Sequence, residues 1–306
     1  MLSSPNPKYY VNKHSFELDN KQEITEEKWN QINKYKDVAS NLLSIEQKYD
    51  LLLSNYYEFE KSLLECALKY SFHLSDFVHR PKTSLNIARV TINLLMSIGL
   101  YEEQLRKRHL KKVALDSYQE SFFKEEIDRY CTSDDDFKFI KELRNYVAHN
   151  DLPLDSLTFS KNSDKFHSEE LDKRGIYVIP TIKEDKLLRD NHFKNSKIKN
   201  ITTTEGEIDL RKHIRLVISS LSQIHKNLRN NSENNLETTK VYLKKVLDTY
   251  NEFCNSKSDY CYVMSNDKKD SDIYISLTQF ERINEFKKNN LSHFNLINQY
   301  VHNRIK

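Results

Sequence analysis

A chain of 306 residues is long enough for one large domain or two modest ones. Hydrophobic residues make up 38% and charged residues 30%, but aromatics reach 11%, so Tyr and Phe supply core material and disorder is excluded as the dominant state. The net charge of +3 excludes a strongly basic nucleic-acid coat and leaves any such contact local.

Only 3 residues are Gly and 5 are Pro. Few tight turns are available, so long helices are expected. The 4 cysteines, Cys66, Cys131, Cys254 and Cys261, have no CxxC spacing. They read as reduced thiols of a cytoplasmic protein, with no zinc site and no disulfide frame. The segment from Met1 to Lys8 lacks an apolar signal core, and no apolar run is expected to span a bilayer.

Residues 1–24 read as an extended or loosely ordered arm. A helix is predicted from near Thr25, with Glu26 and Glu27 suited to its first turn. From Leu42 the pattern is strong. Leu42, Ile45, Tyr49, Leu52, Tyr56, Phe59, Leu63, Cys66 and Tyr70 alternate spacings of three and four, a sustained seam on one helix. Leu53, Leu64, Ala67 and Leu68 widen it, which favours a bundle helix over a coiled-coil strand. Pro81 is expected to stop this helix, and Thr83 or Ser84 to cap the next.

Residues 87–101 are apolar nearly all round, the mark of a central helix. A polar stripe, Asn86, Arg89, Asn93 and Ser97, faces either solvent or a shared polar pocket. The helix runs into Arg106, Lys107, Arg108, His109, Leu110, Lys111 and Lys112. These basic side chains either complement the helix dipole in solvent or contact phosphate. A further helix is predicted from Ser117 to about Tyr130. The acids Asp134, Asp135 and Asp136 suit a helix N-terminus better than a metal, because consecutive acids do not converge on one ion.

That next helix ends in Lys141-Glu142-Leu143-Arg144-Asn145-Tyr146-Val147-Ala148-His149-Asn150-Asp151-Leu152-Pro153. At about 100° per residue, Ile140, Leu143 and Val147 mark its core side. Arg144, Ala148, Asn145 and His149 form a lateral strip with a small residue in its middle. Leu152-Pro153 must end the helix, which places His149 in its final turn.

After Pro153, residues 154–206 have mixed polarity and a weak helical period, and Gly175 to Ile182 read as a strand. Helical period returns at Ile208, with His225 on the apolar stripe as a core histidine, and another helix is predicted from Leu236. Tyr260–Met264 and Ile273–Ser276 read as a hairpin. A last helix is expected from Leu277 to Arg304, weaker near Asn289. The chain thus divides into an arm (1–24), a first helical part (25–153), a mixed insertion (154–206), a second helical part (207–255) and a hairpin with a C-terminal helix (256–306). The fold class is mainly α, a long-helix bundle with a small β-containing insertion.

Arg144-Asn145-Tyr146-Val147-Ala148-His149 resembles the Arg-x(4–6)-His motif of the HEPN superfamily, with its polar residue directly after the arginine. Residues 88–97 also resemble a central helix of some members, and the likeness spans roughly residues 40–150 and, more loosely, 207–255. The resemblance implies a helical bundle that forms a homodimer through the motif helix, and metal-independent endoribonuclease activity of the kind used by toxins and in antiviral defence. It also implies an antitoxin or defence partner. Other members only bind RNA or scaffold partners. One subgroup, paired with a nucleotidyltransferase antitoxin, has Tyr two residues after the motif histidine; Asp151 stands there, so that pairing is not expected.

Chemically, His149 can accept or donate a proton, Arg144 can bind phosphate oxygens bidentately, and Asn145 can orient the imidazole or hold the 2′-OH. RNA supplies its own nucleophile, so no cofactor or metal is called for. Arg106, Lys107, Arg108, Lys111 and Lys112 are the candidate RNA contacts.

Overall fold

The computed structural model describes residues 9–13, 21–72, 80–114, 117–163, 174–190, 193, 203–266 and 272–298. Strands β1 (Tyr9–Asn12) and β2 (Gln22–Ile24) precede α1 (Glu26–Phe72). Helix α2 (Arg80–Gln104) continues through a π-helical stretch (Leu105–His109) into α3 (Leu110–Val113). Then follow α4 (Ser117–Ile127), a second π-helical stretch (Asp128–Thr132), α5 (Asp135–His149), β3 (Ser156–Ser163), β4 (Arg174–Lys183) and α6 (Glu184–Leu187). The remainder comprises β5 (Thr203–Thr204), β6 (Glu207–Asp209), α7 (Leu210–Cys254), β7 (Tyr260–Ser265), β8 (Ile273–Ser276), α8 (Thr278–Asn289) and a 3-10 turn (Leu296–Asn298). The fold is mainly α with two small sheets, as expected.

The chain forms two compact units. The first takes residues 1–47, 105–123 and 227–291. Its sheet has the antiparallel order β2-β1-β7-β8, with Tyr9 opposite Ile24 and Ser265. Tyr9, Val11, Cys261, Val263, Ile273 and Ile275 are buried along these strands. Residues 9–12 and 22–24 are therefore strands, not a loose arm. The pairing explains why: all four residues of β1 are buried, and the strand they pair with, β7, comes from the far end of the chain. Ile32, Val38, Ala39 and Leu42 of α1 and Leu243, Val246, Leu247 and Tyr250 of α7 complete this core. Glu46 and Arg229 form a two-pronged ion pair at 2.9 and 2.6 Å, and Arg229 also donates to the Asn290 carbonyl at 2.8 Å.

The second unit takes residues 48–104, 124–226 and 292–306. Tyr49, Leu52, Phe59 and Leu63 of α1 are buried in it, as the seam predicts. Leu64 and Leu68, however, are 47% and 51% exposed, so the buried face is narrower than expected. His225 is a satisfied core histidine. It stacks on Tyr49 at 3.7 Å, and its Nδ1 lies 2.8 Å from the Tyr101 hydroxyl. The second sheet has the order β3-β4-β6-β5. Glu205 and Gly206, with φ of 54° and 77°, make the tight turn between β5 and β6, where both central residues need positive φ.

Helix boundaries differ from expectation at three places. The expected end of α1 before Pro81 lies outside the described residues, but Pro81 sits in the first turn of α2 (Arg80–Gln104), where a missing N–H costs nothing, and Thr83 and Ser84 lie inside that helix. Helix α7 is one 45-residue helix, not two, because nothing between Leu228 and Leu236 breaks it. Helix α8 ends at Asn289, with the Asn290 N–H on the Phe286 carbonyl. Pro81–Val113 is, by length and composition, long and apolar enough to cross a bilayer, contrary to the sequence expectation. Its apolar side is used instead for packing, with Ile87, Val90, Leu94, Leu95 and Ile98 buried.

Candidate functional site

Helix α5 has a firm N-terminus. The Asp134 carboxylate accepts from the Asp136 and Phe137 N–H groups at 2.8 and 3.4 Å, so the acidic triplet is a cap, as read from the sequence. Asp136 does more: its Oδ1 lies 2.5 Å from Nδ1 of the buried His213. Phe137, Phe139, Ile140, Leu143 and Tyr146 are buried. The helix ends at His149, and the Asn150 N–H bonds the Tyr146 carbonyl at 2.8 Å.

The lateral strip lies where the wheel places it. Ala148 and His149 are exposed, and Arg144 and Asn145 are half-buried. At 1.5 Å rise per residue, Arg144 and His149 are separated by about 7.5 Å along the axis.

Helix α2 packs against α5, and a shallow pocket between them is lined by Leu95, Ile98, Gly99, Glu102, Phe137, Ile140, Lys141 and Arg144. The Arg144 guanidinium lies across Gly99. A Cβ placed on Gly99 would sit 2.0 Å from Nη1 of Arg144. Nη1 donates to Glu103 Oε1 at 2.6 Å, and Nη2 to Asn145 Oδ1 at 3.3 Å. Asn145 in turn donates to Glu142 at 3.4 Å. The Arg144 side chain is 21% exposed, so the guanidinium is held in place yet reachable.

The polar stripe of α2 resolves towards solvent: Asn86, Arg89 and Asn93 are exposed, and only Ser97 is buried, bonding back to the Leu94 carbonyl. The basic run belongs to the first unit, the motif to the second. Lys107, Arg108, Lys111 and Lys112 are exposed and Arg106 is half-buried. Lys112 pairs with Asp37 at 3.1 Å. His109 turns inward, its Nδ1 2.7 Å from Asn41.

Sequence reasoning missed Gly99, Glu103 and the group around Lys186. A signal existed for the first. Glycine inside a helix costs about 1 kcal/mol relative to alanine, so one glycine in a Gly-poor central helix marks a close approach. Glu103 and Lys186 carried no local signal.

Three comparisons were made with known proteins. No protein-family model matches the chain, no curated protein is similar to it, and no solved structure matches its fold.

Proposed function

We propose that this chain is a metal-independent endoribonuclease of the HEPN type that works as a homodimer, in a toxin or antiviral defence role. The observation that carries the reading is the strip itself. An ordered arginine and an exposed histidine bound a strip about 140° wide on α5, with Asn145 and exposed Ala148 between them. On α2, which packs against α5, Met96 and Leu100 are 39% and 38% exposed, apolar surface that on this reading a second copy would cover.

In this mechanism the RNA 2′-OH attacks the adjacent phosphorus and the 5′-oxygen leaves. One His149 removes the 2′ proton, and a second His149 from the other copy protonates the leaving oxygen. Arg144 stabilises the charge that builds on the phosphorane oxygens. Asn145 holds the guanidinium on one side and is positioned to orient the 2′-OH. The products are a 2′,3′-cyclic phosphate and a 5′-hydroxyl. The partner in the cell is then an antitoxin or another defence protein, and the site of action is the cytoplasm.

The test is incubation of the full chain with RNA in EDTA. Cleavage to 2′,3′-cyclic ends is expected, with loss in Arg144→Ala and in His149→Ala at unchanged thermal stability. Full activity in both variants would remove the site from consideration. A second reading, a non-catalytic RNA-binding or scaffolding module, draws on the Glu103 carboxylate that already occupies one edge of Arg144. It is distinguished by salt-sensitive RNA binding without turnover.

A further inference from the structure

The end of α5 lacks the usual means of holding a helix terminus. Asn150, at φ −123° and ψ −71°, is not in the left-handed conformation of a glycine cap. A helix end secured by one backbone bond frays, and His149 is its last residue. Yet the chain immediately after it is bonded at every turn to one neighbouring segment. Asn150 donates to Asp190 at 2.9 Å. Lys186 Nζ bridges Asp151 at 2.9 Å and Asp155 at 2.6 Å. Asp155 also accepts from the Lys183 N–H at 2.9 Å, and its own N–H reaches the Thr181 carbonyl at 2.8 Å.

The Lys186 ammonium therefore ties Asp151, two residues past His149, to Asp155 and to the segment that carries it. Its own base is firm. The turn that carries it buries Leu187 completely, and Phe193 packs edge-on against Phe139 of α5 at 5.8 Å. The electrostatics agree. The Lys186 ammonium and the Leu152 N–H hold the Asp151 carboxyl below its usual range, and the two carboxylates hold Lys186 protonated above its own. Two carboxylates already neutralise Lys186, so we read its role as placement.

We propose that Lys186 is a positioning residue: by bridging Asp151 and Asp155, beside the Asn150–Asp190 bond, it fixes the chain leaving α5 and so the place of His149. The β3–β4–α6 insertion, whose role the sequence leaves open, is the brace that carries it. The link to catalysis rests on the ribonuclease reading; the mechanical claim does not.

The experiment compares the full chain with Lys186→Met, Lys186→Arg and Asp151→Asn by amide hydrogen exchange, thermal melting and RNA cleavage. Asp151 is exposed, so its variant tests the bridge even where Lys186→Met fails to fold. The expected result in Lys186→Met and Asp151→Asn is exchange faster by about tenfold over 147–152, with Phe139–Leu143 unchanged. Turnover falls by about tenfold at constant KM, and Lys186→Arg restores both. Unchanged exchange over 147–152, or acceleration spread evenly along the chain, overturns the proposal. So does unaltered turnover in an active enzyme. If the unmodified chain does not cleave RNA, the ribonuclease reading falls, while the exchange result still decides whether Lys186 holds the helix end.

Discussion

Gly99 sets where Arg144 lies, and this makes a sharp residue-level prediction. In Gly99→Ala the new methyl meets the far end of a flexible side chain, which can swing away. The steric cost of about 1–3 kcal/mol is partly offset by the roughly 1 kcal/mol that alanine gains in a helix. Stability should thus change little by thermal melting, while the guanidinium leaves Glu103. On the ribonuclease reading, cleavage falls by about tenfold, as expected for a misplaced charged group. A large loss of stability would instead mean that Arg144 cannot move. At this scale the sequence disclosed the arginine, the asparagine and the histidine, because helical periodicity shows which side of α5 leaves the core. It did not disclose Glu103, which is 41 residues away from Arg144 along the chain.

At the scale of elements, the long helices are held by paired charges as well as by apolar seams. Glu46 and Arg229 are 5% and 14% exposed at their side chains, so the pair is desolvated. Removing one partner strands the other charge, which costs about 3–5 kcal/mol. Arg229→Ala should therefore lower the denaturation midpoint strongly, and also release the Asn290 carbonyl at the end of α8. The double variant Glu46→Met with Arg229→Met should recover much of the loss, since no charge is left buried. The spacing of three and four predicted α1 from Leu42 to Tyr70, and the Leu152-Pro153 dipeptide predicted the end of α5. Strand β1 was not legible, because Tyr-Tyr-Val-Asn shows no alternation: all four residues are buried, and the partner strand β7 is far along the chain. The single α7 was read as two helices because its polar stretch, Arg229 to Asn235, looks like a break until Arg229, Ser232 and Asn235 find partners.

For the whole molecule, a net charge of +3 spread over 306 residues gives no broad field for RNA capture. On the ribonuclease reading, affinity must then come from local cations. Arg108 and Lys111 are exposed in the basic run, whereas Lys112 is paired with Asp37. Replacing Arg108 and Lys111 by alanine should weaken RNA binding across sequences and reduce the slope of log affinity against log salt by about two. An unchanged slope would place the RNA path elsewhere. The sequence by itself determined the mainly α class, the buried seam of α1, and the helix that ends at His149 with that side chain turned away from the core. These follow from periodicity and from proline, which act within a few residues. Only the tertiary structure decided that Arg144 rests on Gly99 and pairs with Glu103, and that Lys186 bridges Asp151 and Asp155 beyond α5. Periodicity shows which side of a helix is buried, but the residue that lies across from it is chosen by packing between segments far apart in the chain.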